Sequence, residues 1–139
     1  MSSFQILQFQ DCSGESGSLV PIEFSNLQQF LTPQRIYFLH QVPAGCTRGG
    51  HAHKIEKEIF ICLSGSCIAR IDADGKGKKE FSLKSPHKGI FVDTLVWHEF
   101  SNFSPDCILL AISSTAFMPG EKNYLENYRE FCGIFSEKK

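Results

Sequence analysis

The apolar segments of the chain are short, rich in β-branched and aromatic residues, and separated by Gly, Pro, Asp and Ser. Runs of this kind, bounded by turn-forming residues, are typical of strands in an all-β domain. The pattern predicts strands at residues 35–42, 58–63, 66–72, 79–83, 89–92 and 107–113. The apolar segment at residues 4–9 has the character of an additional N-terminal strand.

Two segments have helical character, and polar loops separate the strands. Ser25 or Asn26 could cap a short helical turn that runs through Phe30. A second helix, lying across one end of the fold, is predicted near the C-terminus by apolar residues at helical spacing: Tyr124, Leu125, Tyr128 and Phe131. We expect residues 72–78 to form a hairpin loop because their glycines permit positive φ, and residues 13–18 to form a loop or turn.

Length and charge limit what the chain can do. Its 139 residues have the size of one domain, so we expect a single domain over residues 1–139. Whether this domain was cut from a longer bifunctional enzyme stays open. With 14 basic and 15 acidic residues, the formal net charge is −1. This balance argues against nucleic acid or an anionic membrane surface as a partner, and an anionic ligand would need local arginines.

The N-terminus and the cysteines indicate a compartment. The first residues lack the basic segment and long apolar run of a signal peptide, and no apolar stretch reaches membrane-spanning length. We therefore expect a cytoplasmic protein. The chain has six cysteines and no Cys-x-x-Cys pair, so we interpret most of them as small buried hydrophobes. Cys62 and Cys67 could approach one another across a turn, but the structural interpretation is preferred.

A dense set of glycines and histidines lies in the middle of the chain. It reads Gly45, five residues, His51-Ala-His53, four residues, Glu58, six residues and Gly65. Every spacing matches the first cupin motif. This resemblance implies an all-β, cupin-type β-barrel (jelly roll) with one or two short helices.

A second segment resembles the second cupin motif less closely. It starts at Gly89 and reaches His98 and Asn102, with the His-x3-Asn ending of that motif. Leu95 stands where proline is usual, and the Gly-to-His spacing is two residues shorter than in the motif. The second segment therefore supports the assignment without carrying it.

The histidine pair has a physical meaning of its own. Residues two apart on a strand point to the same face, so His51 and His53 can present both imidazoles to one cavity. Together with Glu58 and His98 they could hold a divalent transition metal. Alternatively, imidazoles that titrate near neutral pH can take and return protons without a metal. The number of available ligands alone favours the metal.

Beyond the cupin motif, the chain resembles the small sugar-nucleotide 3,4-ketoisomerases that act on dTDP-4-keto-6-deoxyglucose. The matching stretches run in order along nearly the whole chain, at residues 17–23, 35–37, 48–54, 65–67, 85–89, 97–99, 103–106 and 123–128. The Arg-Gly-x-His-Ala-His-Lys and Trp-His-Glu segments are the most specific of these. Family members commonly carry Gln where Glu58 stands, a departure that reopens the metal question.

The resemblance implies a reaction that needs no cofactor. A base removes the proton from C3 beside the 4-ketone, giving an enediol or enediolate, and reprotonation at C4 leaves the ketone at C3. His51 and His53 match the family's catalytic pair, with His51 expected to serve carbon and His53 to shuttle between oxygens. Tyr37 is the candidate for a hydrogen bond that orients or supplements this pair, although an aromatic in the barrel wall is an equally good interpretation.

The resemblance also implies how the nucleotide is held. Arg48 is expected to clamp the diphosphate because its guanidinium offers paired donors. Arg35 has the same strand parity as Tyr37, so both side chains should face the cavity together. His98 is expected to complete the proton network or to satisfy a polar position in the core. Family members are commonly homodimers with exchanged strands, a role that residues 4–9 could fill.

Three other functions compete with this interpretation. A metal-dependent cupin enzyme would use His51, His53, Glu58 and His98. A dTDP-sugar 3,5-epimerase also abstracts protons beside a 4-ketone, but that family pairs one histidine with a carboxylate and a tyrosine. A non-catalytic sugar-binding cupin is the third. The configuration at C4 of the product, galacto or gluco, and the aromatic that stacks on thymine are not determined by the sequence.

Overall fold

The computed structural model describes residues 2–136, which form strands and two short helices. The strands are β1 (Phe4–Gln8), β2 (Cys12–Gly14), β3 (Gly17–Leu19), β4 (Arg35–His40), β5 (Arg48–His53), β6 (Glu58–Ser64), β7 (Cys67–Asp72), β8 (Lys79–Leu83), β9 (Lys88–Val92), β10 (Trp97–Ser101), β11 (Ile108–Ser113) and β12 (Tyr124–Leu125). The helices are α1 (Phe24–Leu27) and α2 (Tyr128–Ser136). The strands predicted from the sequence are confirmed to within a few residues at each end.

Ten of the described strands form two five-stranded antiparallel sheets, in the orders β1-β9-β6-β11-β4 and β12-β5-β10-β7-β8, and β2 and β3 form a separate two-stranded sheet. A core of side chains from both sheets fills the space between them, including Phe60 and Leu109 from the first sheet and Ala69 and Phe100 from the second. The all-β, jelly-roll class is therefore confirmed, although the strands divide into two sheets and do not close one continuous barrel.

Alternation along β6 sends its side chains to two different cores. Phe60 and Cys62 face the space between the sheets. Ile59 and Ile61 face a second cluster, which the α1 segment covers with Leu27. Because β6 is buried on both faces, its sequence is a continuous apolar run rather than an alternating one.

The C-terminal helix prediction was wrong at its start. Tyr124 and Leu125 form β12, which pairs with His53 and Ala52 of β5, and the helix begins only at Tyr128. The apolar spacing fits both structures locally, and the backbone of β5 supplies hydrogen bonds that a longer helix would not make. Phe131 of α2 packs against Trp97. The two side chains belong to a separate apolar cluster, and Trp97 does not line the cavity between the sheets.

Two other local predictions need correction. Helix α1 starts at Phe24 after Glu23, whose side chain makes no capping hydrogen bond, so neither Ser25 nor Asn26 is its cap. Residues 13–18 were expected to be a loop or turn, but they belong to the β2–β3 hairpin, where Ser13 pairs with Ser18. The hairpin loop at residues 72–78 is confirmed between β7 and β8.

The six cysteines are all free, and only Cys62, Cys67 and Cys107 are buried. Cys12 and Cys46 are exposed and Cys132 is partly buried, so the expectation that most are buried hydrophobes holds for half of them. The Cys62–Cys67 bridge considered above is not formed. Among residues 2–136, no helix is long and apolar enough to cross a membrane.

Candidate active site

A cavity of about 400 Å³ opens at one end of the space between the two sheets. Its polar wall comes from three strands: Arg35 and Tyr37 of β4, Arg48 and His51 of β5, and His98 of β10. The remaining lining is mostly apolar: Leu39, Gly49, Phe60, Phe100, Phe117 and Tyr124. The structure thus brings together five of the predicted site residues, and Arg35 and Tyr37 face the cavity together as their parity predicts.

Two glycines set the position of His51. Gly49 and Gly50 have φ of 76° and 80°, values that strongly favour glycine. A Cβ on Gly49 would lie 3.0 Å from the carbonyl oxygen of His98. At this point the β5–β10 register shifts, so that His51 lies opposite His98 and Gly49 opposite Glu99. The irregularity brings the imidazoles of the two strands to the same end of the cavity.

Three imidazoles and one phenol form a compact group. The ring centroids of His51 and His53 are 4.6 Å apart, and His98 lies 4.8 Å from His51 and 5.2 Å from His53. The ring of Tyr124 on β12 lies 4.8 Å from both His51 and His53. His51 is partly exposed to the cavity, whereas His53 is 3 % exposed and does not line it.

Glu58 is the carboxylate on which the group is organised. It is 1 % exposed, and it accepts a hydrogen bond from the Tyr37 hydroxyl at 2.5 Å. Its other oxygen lies 3.1 Å from Nδ1 of His53 and 3.6 Å from Nε2 of His98. Burial alone would raise the pKa of Glu58, but its interactions with the His53 and His98 imidazoles outweigh burial and lower the pKa. Glu58 is therefore ionised at neutral pH.

One hydrogen bond fixes a proton position on His98. Nδ1 of His98 lies 3.1 Å from the carbonyl oxygen of Val96, which only accepts, so this nitrogen carries a proton. Nδ1 of His53 lies 3.1 Å from Oε1 of Glu58. The Nε2 atoms of both rings are buried and have no hydrogen-bond partner among residues 2–136.

Burial and two neighbouring imidazoles keep His51 neutral. Burial, followed by repulsion from His98 and His53, lowers the pKa of His51 from 6.5 to about 3. Burial and the nearby Glu58 carboxylate raise the pKa of Tyr37 far above its ordinary value, so its hydroxyl stays protonated. The cavity therefore presents an uncharged base beside an uncharged hydroxyl donor.

Sequence reasoning missed a second buried carboxylate. Glu56 is 1 % exposed and accepts hydrogen bonds from Arg35 at 3.0 Å, Ser113 at 2.6 Å and Asn123 at 3.0 Å. Its partners come from positions 21 to 67 residues away in the chain, so no local spacing indicates it. Glu56 holds Arg35 in place through one guanidinium nitrogen and leaves the other, Nη1, without a partner among residues 2–136.

Arg48 lies at the exposed edge of the cavity, at the start of β5. No acidic side chain within residues 2–136 forms an ion pair with it, in contrast to Arg70, which pairs with Glu80 at 2.9 Å. Phe117, which is 67 % exposed, lies under the guanidinium of Arg35 at 5.7 Å. Arg35 and Arg48 therefore both line the cavity, and Arg35 keeps one guanidinium nitrogen without a hydrogen-bond partner among residues 2–136.

The departure from the second cupin motif has a structural cause. Leu95 has φ of 56°, and its N–H donates to the carbonyl of His53 at 2.7 Å. Proline can neither adopt this φ nor supply the N–H. The shorter turn before His98 therefore excludes the usual proline. Its hydrogen bond joins the second motif, at Leu95, to the backbone of the first motif, at His53.

The same group of side chains fits a divalent metal ion. Ligand atoms of His51, His53, Glu58 and His98 all lie within 4.8 Å of one another. Three imidazoles and a carboxylate are ligands that zinc, iron or manganese accept. A bound ion would act there as a Lewis acid on a substrate oxygen. The predicted alternative ligand set is thus assembled, and geometry alone does not separate it from the proton-transfer interpretation.

Jelly rolls with a histidine pair at one open end form the cupin class, and the geometry above assigns the chain to that class. A family model described as "FdtA: WxcM-like, C-terminal" matches residues 2–136, and the chain belongs to this family. The resemblance identified from the motifs is thereby confirmed.

Named relatives and solved structures match the chain over nearly its full length. The TDP-4-oxo-6-deoxy-alpha-D-glucose-3,4-oxoisomerase of Aneurinibacillus thermoaerophilus is 34 % identical over 127 residues, 91 % of this chain and 88 % of the relative. A variant of the 3,4-ketoisomerase QdtA from Thermoanaerobacterium thermosaccharolyticum, solved with TDP-4-keto-6-deoxyglucose, matches with a TM-score of 0.87 and 29 % identity over 97 % and 95 % of the two chains. WlaRA, a TDP-fucose-3,4-ketoisomerase from Campylobacter jejuni, matches with a TM-score of 0.84 and 32 % identity over 97 % of each chain.

Proposed function

We propose that the chain is a 3,4-ketoisomerase that converts TDP-4-keto-6-deoxyglucose to a TDP-3-keto-6-deoxyhexose. The observation that carries this proposal is the neutral His51 imidazole at the cavity wall, backed by His53, Glu58 and Tyr37. Moving a ketone from C4 to C3 requires one proton to move between carbons and one between oxygens. A cluster of three imidazoles, with His51 neutral, and one phenol hydroxyl meets this requirement.

His51 is assigned to the carbon proton because it lines the cavity. It takes the proton from C3, which the neighbouring ketone acidifies, while the oxygen at C4 gains a proton to give the enediol. Return of a proton to C4 and loss of the proton from the C3 hydroxyl leave the ketone at C3. Neutral His51 can accept at the first step, and the imidazolium it becomes donates at the second.

His53 and His98 are assigned to the protons on oxygen. Their Nε2 atoms are buried without a hydrogen-bond partner among residues 2–136, beside His51, and Glu58 faces both rings. A ring that takes up a proton gains a charge that the ionised Glu58 stabilises. Tyr37, fixed by its hydrogen bond to Glu58, limits how far the carboxylate can move. Tyr37 is therefore a supporting residue of the catalytic pair.

The two arginines are assigned to the diphosphate. Arg48 has no ion-pair partner within the described residues, and Nη1 of Arg35 has no hydrogen-bond partner there. Guanidinium groups bind phosphate oxygens through paired, charge-assisted hydrogen bonds. Arg48 at the edge of the cavity meets the diphosphate, and Arg35, held by Glu56, meets the part of the ligand nearer the sugar.

We further propose a homodimer in the cytoplasm. Ile36 and Phe38 lie on β4, an edge strand of the first sheet, and are 61 % and 58 % exposed. Paired apolar side chains of this size on a sheet edge favour association. β1, considered above for strand exchange, pairs with β9 of its own chain.

The six free cysteines are in keeping with a reducing compartment, as the cytoplasm is.

The test is to incubate the protein with TDP-4-keto-6-deoxyglucose in deuterated water and to identify the sugar by NMR. The proposal expects a 3-keto sugar, with exchange at C3 and C4 and none at C5. Exchange at C5 with the ketone still at C4 would indicate an epimerase and overturn the proposal. An unchanged sugar that nevertheless binds would indicate a non-catalytic cupin, with the same consequence.

A further inference from the structure

Three buried thiols meet in the interior, beyond the residues used above. Cys62 lies near the end of β6, Cys67 at the start of β7, and Cys107 just before β11. Their sulfur atoms all lie within 4.8 Å of one another, and none of the three residues is more than 2 % exposed. Phe60 and Phe100, whose rings are 4.6 Å apart, pack in the same core and line the histidine cavity.

We propose that Cys62, Cys67 and Cys107 form a binding site for a thiophilic d¹⁰ metal ion such as zinc, held by three thiolates. The separations favour a shared ion over a disulfide. Two thiolates bound tetrahedrally to one zinc, at about 2.3 Å each, lie about 3.8 Å apart. The sulfur atoms of Cys62 and Cys107 are 3.8 Å apart. A disulfide would require them to approach to about 2.05 Å.

The ligands become thiolates when the ion binds. The ion displaces the protons of all three thiols, as metal ions bound by cysteine do in general. The balance is one divalent ion and three thiols giving a complex of charge −1 and three protons. The Cys62 thiol donates hydrogen bonds to the carbonyl oxygens of Ser64 and Gly65, at 3.2 Å and 3.4 Å, which the bound ion would replace.

Such an ion would join the two sheets. Cys62 lies on the first sheet and Cys67 on the second, and the short β6–β7 turn connects them. Cys107 leads into β11 of the first sheet. A ligand that binds only the folded chain stabilises it, and the stabilisation grows with the logarithm of the ratio of ligand concentration to dissociation constant. A bound ion would therefore stabilise the end of the jelly roll that has no catalytic cavity. This stabilisation would not depend on the isomerase reaction.

The experiment titrates reduced, metal-free protein with Cd²⁺ and follows the ultraviolet thiolate-to-metal charge-transfer band. We expect one thiolate-bound ion per chain, protons released on binding, and a rise in Tm of about 5–10 °C at an ion concentration about 100 times the dissociation constant. Cys62→Ala and Cys107→Ala should lose the band. Cys46→Ala, which removes an exposed thiol, and His51→Asn, which removes a possible ligand at the other site, should keep it.

Two results would overturn the proposal. One is a band that survives in Cys62→Ala, or that disappears in Cys46→Ala. The other is loss of two free thiols without bound metal when the protein is isolated, which would mean a disulfide. Should the alanine variants fail to fold, ¹¹³Cd NMR of the wild-type protein decides: a chemical shift typical of coordination by three sulfurs supports the site, and the absence of such a signal at saturating Cd²⁺ refutes it.

Discussion

Strand β6 carries Glu58 at one end and Cys62 at the other, and the two side chains face the same interior about 13 Å apart along the strand. At the Glu58 end, imidazoles, a phenol and a cavity surround the carboxylate. At the Cys62 end, three thiols are enclosed by apolar side chains. The scaffold is the same, so the difference between the ends lies in which side chains can exchange protons with a ligand. We therefore expect changes at the first end to affect turnover and changes at the second to affect stability.

The largest expected effect comes from the histidine end. His51→Asn and His53→Asn should each lower kcat by about 10²–10⁴-fold, because asparagine is polar but exchanges no proton near neutral pH. Tm and affinity for thymidine diphosphate should change little. The matched control is His87→Asn, since His87 bonds Ser85 away from the cavity and should leave kcat unchanged. Full turnover in both active-site variants would remove the catalytic role of the pair.

The next effect concerns binding at the cavity edge. Arg48→Ala should weaken binding of thymidine diphosphate by about tenfold or more, since a charge-assisted hydrogen bond contributes about 1.5–3 kcal/mol. Arg70→Ala is the control because Arg70 pairs with Glu80 on the surface. Calorimetry on both variants gives the comparison, and equal affinities would reject Arg48 as the diphosphate clamp.

The thiol end should respond in the opposite way. Cys107→Ala removes a buried sulfur and should cost about 1 kcal/mol of folding free energy, a fall in Tm of about 2–6 °C, with kcat unchanged. Cys46→Ala, at an exposed position, should change neither quantity. Thermal unfolding and turnover measured on the same preparations test this. A loss of kcat comparable to that of His51→Asn would show that the two ends are not independent.

Proton linkage at the histidine end gives a smaller, pH-dependent effect. Because the pKa of His51 falls from 6.5 to about 3 on folding, the unfolded chain binds the extra proton between these values. The free energy of unfolding therefore decreases as the pH falls through this window. Between about pH 7 and about pH 5, above the ordinary range of carboxylates, Tm of the wild-type protein should fall more than that of His51→Asn. An equal fall in Tm for the wild-type protein and His51→Asn would mean that the fold does not keep His51 neutral.

The smallest expected effect is that of chelation. Isomerase activity should survive exhaustive treatment with a chelator, because the proposed steps use only proton carriers. The wild-type protein is compared with Glu58→Gln, which removes the carboxylate from the possible ligand set and keeps an acceptor for Tyr37. Loss of turnover that zinc, iron or manganese restores in the wild-type protein alone would make Glu58 a metal ligand in catalysis.

The sequence predicts the fold and the centre of the site because both depend on local signals. Turn residues delimit most strands, and the spacing of His51, His53 and Glu58 places them at one end of the interior. Contacts between distant parts of the chain leave no such signal. Glu56 and Tyr124 reach the site through partners far away in sequence, and the thiol group joins positions 62, 67 and 107. The helical spacing around Tyr124 predicted the wrong structure for the same reason, because pairing with β5 determines the conformation of that segment.

The most direct test of the account follows the C3 hydrogen of TDP-4-keto-6-deoxyglucose by NMR in deuterated water, with metal-depleted enzyme. The account predicts rapid exchange and a 3-keto product with the wild-type protein, and no exchange with His51→Asn. With His53→Asn it predicts exchange at C3 without accumulation of product, because the carbon base remains. If His51→Asn retained exchange at C3 and His53→Asn lost it, the roles of the two histidines would be reversed. If both variants exchanged the C3 hydrogen at the wild-type rate, the central claim that this histidine pair performs the isomerisation would be contradicted.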